Sequence, residues 1–178
     1  AWDVEKWKPE TAHNYIYEWA VKTFGNQLAQ GIATLQAQYY LLQAAGKDSH
    51  VYFINYTEEE IAQRIEKYNT LVEQATTLKE QVPADLQDAY FELVLYPIRG
   101  AALLNEYQLL ARRSMVRCTF KDSIGAIKDG EKVKQTFNEL NHWTALYNKH
   151  IQNGKWDEFF IWFFTKCVLV NSKDDNKV

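Results

Sequence analysis

Two Glu-x-x-His pairs, Glu10–His13 and Glu139–His142, have the spacing that puts a carboxylate and an imidazole on one helix face. Two such pairs plus two further inward glutamates are what a di-iron centre in a helical bundle needs, and Glu66, Glu73, Glu92 and Glu106 are the available partners. The two pairs fall at different depths, one in a first turn and one in mid-helix, so the expectation is solvated charges and no metal ligands. Cys118 and Ser114 lie among Arg112, Arg113 and Arg117, a setting that could lower a thiol pKa. No histidine is near them in sequence, and Cys118 reads as a small hydrophobe near a helix end. Glu92 and Glu106 share a helix side, but 14 residues of helix separate them by about 21 Å, too far for the paired carboxylates of glycoside hydrolysis. A glycine-rich phosphate loop and a Ser-His-Asp arrangement are both missing. No residue is therefore assigned to catalysis, to a cofactor or to a metal.

Other polar and aromatic residues invite a binding role. Arg99, Asn105 and Glu106 stand within the otherwise apolar stretch 93–110, with Arg99 and Glu106 seven apart and so on one side. A buried Glu106 would have to be paired. These three, with Trp156, are the candidates for contact with a neighbouring domain. Trp2, Trp7 and Trp156 sit outside the helical stripes. Such aromatics stack on sugar rings or lock chain ends onto a core, so a carbohydrate- or protein-binding module is the rival to a purely structural role.

The elements that would position these residues are helices. The chain has 178 residues, 47% of them hydrophobic and 24% charged, with only seven Gly and three Pro. That balance suits one folded domain with a real core, and so few turn residues favour long helices over strands. The net charge of −3 gives no electrostatic reason to bind nucleic acid or an anionic membrane. No stretch reaches the roughly 20 apolar residues of a membrane helix. Two cysteines cannot form a disulfide framework. The chain opens on Ala1 and its single methionine is Met115, which predicts a chain cut from something longer or processed.

Five amphipathic helices are expected, in a mostly antiparallel all-α bundle. The first runs from about Glu10 to Phe24, with Pro9 in its first turn, Gly25 just past its end, and Ile16, Trp19, Ala20 and Thr23 inward. The second covers Gln27 to Ala45, its stripe Leu28, Ile32, Leu35, Tyr39 and Leu42 recurring every three or four residues. In the connector 46–57, Val51 to Ile54 is expected to dock as an extended segment. Thr57 and Glu60 have capping-box spacing at the head of the third helix, which carries Ile61, Ile65, Tyr68, Val72, Ala75, Leu78 and Val82 inward. Pro83 separates it from a long fourth helix, Ala84 to Met115, with Leu86, Tyr90, Leu93, Ala101, Leu104 and Ala111 inward. Pro97 should kink this helix without breaking it, because the apolar stripe continues in phase on both sides. The fifth runs from Ser123 to Gln152, capped by Asp122 and stopped by Gly154, with Val133, Phe137, Leu140, Trp143, Tyr147 and Ile151 inward. The bundle domain is thus residues 1–157. Residues 158–178 form a separate segment, nearly all apolar from Phe159 to Val170 and then polar.

Several short segments occur together in this order: Trp19-Ala20 with Phe24-Gly25, Asn55-Tyr56 before Tyr68-Asn69, Leu95-Tyr96-Pro97, Asn105-Glu106, Tyr147-Asn148 and Gly154-Lys155-Trp156. In this register they resemble the helical-bundle domain of glycoside hydrolase family 115, the xylan α-1,2-glucuronidases, over residues 1–157. The resemblance implies a large multidomain parent in which a catalytic barrel precedes the bundle and a β-rich domain follows it. It implies an enzyme that removes glucuronic acid or its 4-O-methyl form from xylan side chains. The catalytic acids of the family belong to the barrel, and none maps onto this chain. The bundle would buttress the barrel, with a possible homodimer contact, in a parent exported to the periplasm or outside the cell. After Trp156 the family continues with a polar stretch carrying His, Gly and Tyr, where this chain has Phe159 to Phe164.

Overall fold

The computed structural model describes residues 8, 11, 14–48 and 50–157. The fold is all-α, with five principal helices and no strand among the described residues. Helix α1 spans Asn14–Phe24, α2 Asn26–Ala45 and α3 Glu58–Lys79. Helix α4 is continuous over residues 87–119, built from an α turn Gln87–Tyr90, a π turn Phe91–Leu95 and an α segment Tyr96–Thr119. Helix α5 spans Ser123–His150. The expected first turn around Pro9, Glu10 and His13 lies outside the described residues, as do Trp2, Trp7 and the segment 158–178.

The helix ends follow from particular side chains. Gly25 takes a left-handed φ of 83° and lets α2 begin one residue after α1. The Thr57–Glu60 capping box forms in full: the Glu60 amide donates to the Thr57 hydroxyl at 3.2 Å, and the Thr57 amide donates to the Glu60 carboxylate at 2.7 Å. Asp122 caps α5 by accepting from the Gly125 amide at 3.0 Å. Gly154 takes a φ of 84°, but a 3₁₀ turn, Ile151–Asn153, lies between it and the end of α5 at His150. Helix α4 outruns its expected end at Met115 and closes in a Schellman motif. The Lys121 amide donates to Cys118 O at 3.1 Å, and the Asp122 amide to Arg117 O at 2.9 Å. Lys121 takes the left-handed position at φ 62°.

Residue pairings fix the helix directions. Tyr96 bonds to Thr144, Glu106 to Thr136 and Arg113 to Asp129, so α4 and α5 run antiparallel. Tyr90 donates to Ala75 O and Arg64 to Asn105, so α3 and α4 do too. The main core, Ala20, Phe24, Leu28, Ile32, Tyr68, Leu71, Val94 and Ile98 among others, is shared by α1 to α4. Two smaller clusters lie towards opposite ends, one around Val51, Ile61, Leu109 and Leu110, the other around Tyr96, Tyr147 and Ile151.

Two local expectations are corrected. Val51–Phe53 is a 3₁₀ turn and not an extended segment, with the Phe53 amide donating to His50 O and Ile54 to Val51 O. That curl sends Val51 wholly into the core while leaving Phe53 exposed. In α4 the apolar stripe does not stay in phase. A π turn holds one residue more than an α turn. The buried positions are Tyr90, Val94, Leu95, Tyr96, Ile98, Ala101, Ala102, Leu103, Asn105, Leu109 and Leu110, whereas Leu93 is 39% exposed and Leu104 is only half-buried.

Candidate functional site

The polar residues singled out in the stretch 93–110 separate onto two sides of α4. Asn105 faces α2 and α3 and is fully buried. Its amide nitrogen donates to Asp48 Oδ1 at 2.5 Å and to Ala101 O at 2.8 Å, and its carbonyl accepts from Arg64 Nε at 2.7 Å. Arg64 is itself buried, its guanidinium completed by Gly46 O at 2.6 Å and Leu42 O at 3.2 Å. Those carbonyls close the C-terminal end of α2, where a cation is favoured. The ring of Tyr68 lies 5.3 Å from the guanidinium carbon, and its hydroxyl donates to Asp48 Oδ1 at 3.0 Å. Asp48 also accepts from Gln43. A Cβ on Gly46 would stand 2.7 Å from the Tyr56 hydroxyl, so a larger residue there would have to push that side chain aside. Neither Arg64 nor Asp48 was predicted. Arg64 reads in the sequence as one more polar residue of α3, and Asp48 sits in a connector with no period.

Arg99 and Glu106 face α5, on one side as their spacing requires. Arg99 pairs with Glu139 and lies 5.4 Å from the Trp143 ring. Glu106 accepts from the Thr136 hydroxyl at 2.7 Å and pairs with Lys132 at 3.4 Å. With Asn69, the side chains of Arg99, Glu106, Lys132 and Glu139 line a polar cavity of about 110 Å³ between α3, α4 and α5. It adjoins an open groove of about 550 Å³ walled by Glu66, Asn69 and Glu73 of α3 and by Glu106, Leu110 and Arg113 of α4. Trp156 packs against the cluster of Tyr96, Tyr147 and Ile151, with Lys155 Nζ 4.6 Å from its ring.

The arginines near Cys118 are committed elsewhere. Arg113 holds buried Asp129 through two bonds of 2.7 and 2.8 Å. Arg117 grips Glu58 at 2.9 and 3.1 Å and reaches Asp129 at 3.2 Å. Its hydrogen bonds hold the Glu58 carboxyl below the usual range. Arg112 donates to Tyr52 O at 2.6 Å and to Asn55. Cys118 is exposed.

The carboxylates considered for metal or acid chemistry are likewise engaged or apart. Glu139 and Glu106 are ion-paired. Glu66 and Glu73 stand on one wall of the groove, about 10 Å apart along the helix. Among the described residues no group of three or more His, Cys, Asp or Glu is placed to share a metal ion. No described helix is long and apolar enough to cross a membrane.

No protein-family model and no curated protein matches the chain. Among solved structures, the chain is similar in fold and sequence to a family GH115 4-O-methyl-α-glucuronidase with specificity for decorated arabinogalactans. The TM-score is 0.76 and the identity 26%, over 88% of this chain and 21% of that one. The resemblance in the short segments is thereby matched in three dimensions. The chain spans about a fifth of the length of that enzyme.

Proposed function

We propose that this chain is a non-catalytic helical scaffold within a multidomain α-glucuronidase-like glycoside hydrolase, supporting a catalytic barrel that is not part of this chain. One observation carries the reading: 88% of the chain superposes on a 21% portion of a GH115 enzyme. The arrangement of charge is consistent with it. Glycoside hydrolysis needs two carboxyl groups facing each other across about 5–9.5 Å. Here Glu106, Asp129 and Glu139 are neutralised by cations of the neighbouring helix, and the remaining groove carboxylates share one wall.

In this reading the parent removes glucuronic acid or its 4-O-methyl form from side chains of a xylan-type or arabinogalactan-type polysaccharide, and works outside the cytoplasm. Arg99, Glu106 and Trp156, partly open to solvent, are the groups on the bundle's flank that meet the neighbouring domain, with Asn105 bracing α4 behind them. The isolated chain should release no 4-O-methylglucuronic acid from glucuronoxylan or from decorated arabinogalactan. Turnover by the purified chain, lost on a single substitution within residues 14–157, would overturn the reading. So would a parent reading frame that encodes no barrel.

A further inference from the structure

We propose that the groove between α3 and α4, with the polar cavity behind it, is a binding site for a short uncharged oligosaccharide, a role that goes beyond the scaffold function proposed above. The two spaces adjoin through Asn69 and Glu106, which line both. The groove, about 550 Å³, has the size of an ordinary small-molecule site, about 300–1,000 Å³. Its wall on α3 runs from Ala62 to Glu73, about 16 Å of helix.

The hydrogen-bonding groups select the chemistry. At the cavity end Arg99 and Lys132 donate, Glu106 and Glu139 accept, and the Asn69 side chain can do both. Two cations and two carboxylates leave that end without net charge. The Arg99 guanidinium is fixed by Glu139 and by the Trp143 ring at 5.4 Å, yet its Nε is buried with no acceptor. Asn69 is exposed and spends its side chain on no hydrogen bond among the described residues. An unmet donor beside an unmet amide calls for a group that accepts and donates at once, as a sugar hydroxyl does. An ammonium ion only donates, and a carboxylate only accepts. An anion would also face four carboxylates, Glu66 and Glu73 of the groove with Glu106 and Glu139 of the cavity.

The apolar part of the lining fits the same ligand. A pyranose ring carries its hydroxyls round the edge and C–H groups on its faces. Ala102 and Leu103 in the cavity, with Ile65 and Leu110 in the groove, offer aliphatic surface to those faces. No residue of this lining is aromatic, so the affinity is modest. The polar groups are held before a ligand arrives, Glu106 by Thr136 at 2.7 Å and Lys132 at 3.4 Å, and Arg113 by Asp129 at 2.7 Å. Such fixing lowers the entropy cost of binding. Arg99 and Glu106 also belong to the flank given above to the neighbouring domain, which puts the site beside a domain junction, a common position for ligand sites.

The isotope-labelled 178-residue chain is titrated in NMR with two uncharged trisaccharides, xylotriose and galactotriose, and separately with glucuronate and with spermidine. At least one trisaccharide should shift the Asn69 side-chain amide signals and saturate with a Kd of about 1 mM, and glucuronate and spermidine should bind at least about tenfold more weakly. Asn69→Ala should weaken trisaccharide binding about tenfold without lowering the melting temperature, the loss of one or two hydrogen bonds. Arg99→Lys, which keeps the charge and removes Nε, should weaken it as well. No saturation by either trisaccharide up to about 50 mM, or saturation that both substitutions leave unchanged, would overturn the site and leave the scaffold function standing. Tighter binding of spermidine would assign the groove to cations, and tighter binding of glucuronate to uronic acids, and either would overturn the proposal.

Discussion

The side-chain amide of Gln36 donates to the carbonyl of Leu93 at 2.9 Å, and that carbonyl is the one that Pro97 deprives of its helical partner. Gln36 is buried in α2, facing the π turn of α4. A proline in mid-helix is therefore met from outside the helix: the π turn takes up the ring, and a neighbouring helix supplies the missing donor. The cost of a helix-interior proline, about 3 kcal/mol when nothing compensates, is offset in place.

Gln36→Leu should destabilise the chain by about 1–3 kcal/mol, because a buried carbonyl is left unpaired. In a Pro97→Ala background, where residue 97 regains an amide, the same substitution should cost less. Urea unfolding of the four proteins of this cycle gives the coupling. Equal costs in both backgrounds would show that the two residues do not serve one carbonyl.

Asn105→Ala removes a partner of Arg64 Nε and one of Asp48 at once, and should cost about 2–3 kcal/mol. Arg64→Ala in the same chain should then cost less than it does alone, with a coupling of at least about 0.5 kcal/mol. Additive losses in chemical denaturation would rule out a shared network.

Burial, with Asp48 next, pushes the Tyr39 hydroxyl up to about 12; burial, with Glu92 next, does the same for Tyr147. Burial raises Tyr68 and Tyr90 as well. An unfolded tyrosine ionises near pH 10. Between about pH 10 and 12 the unfolded chain therefore binds fewer protons than the folded one, and stability falls as pH rises. Below that window the contribution is complete. The urea midpoint should be level from these groups up to about pH 9.5 and drop by pH 11.5, less steeply in Tyr147→Phe. A level midpoint through pH 11.5 would contradict this origin.

Lys121 occupies a left-handed position that glycine fills without strain. Lys121→Gly should raise stability by about 0.5–1 kcal/mol, read as a rise in melting temperature. Gly25→Ala, at φ 83° and ψ 165°, a region open in practice to glycine alone, should lower it by about 1–3 kcal/mol. The opposite pair of signs would mean that backbone strain does not set these two turns.

The parts of the fold legible in the sequence are those written in local chemistry. Gly25, the Thr57–Glu60 pair and Asp122 each mark a boundary through contacts with residues at most four places away, and the helices start or stop beside them. The regular stripes of α2 and α5 likewise name the faces that pack. The π turn escaped because its cause is split between Pro97 and a glutamine 61 residues earlier. Once it adds its residue, Leu93 turns outward although its spacing from Tyr90 is sound. The Arg64–Asn105–Asp48 cluster escaped for a similar reason: each member is ordinary alone, and only the fold brings α3, α4 and the connector together. Arg99 and Glu106 were placed on one side correctly, because helical period alone decides that.

The supernumerary residue in α4 also bears on how such domains are compared across evolution. A bundle of this shape whose fourth helix lacks the proline has no use for it. Its sequence would then line up with this one only if a one-residue gap were opened inside 91–95, where a routine comparison would expect an unbroken block. Without that gap every position beyond it is matched to the wrong neighbour, and distant kinship between such bundles fades from view before the architecture itself has changed.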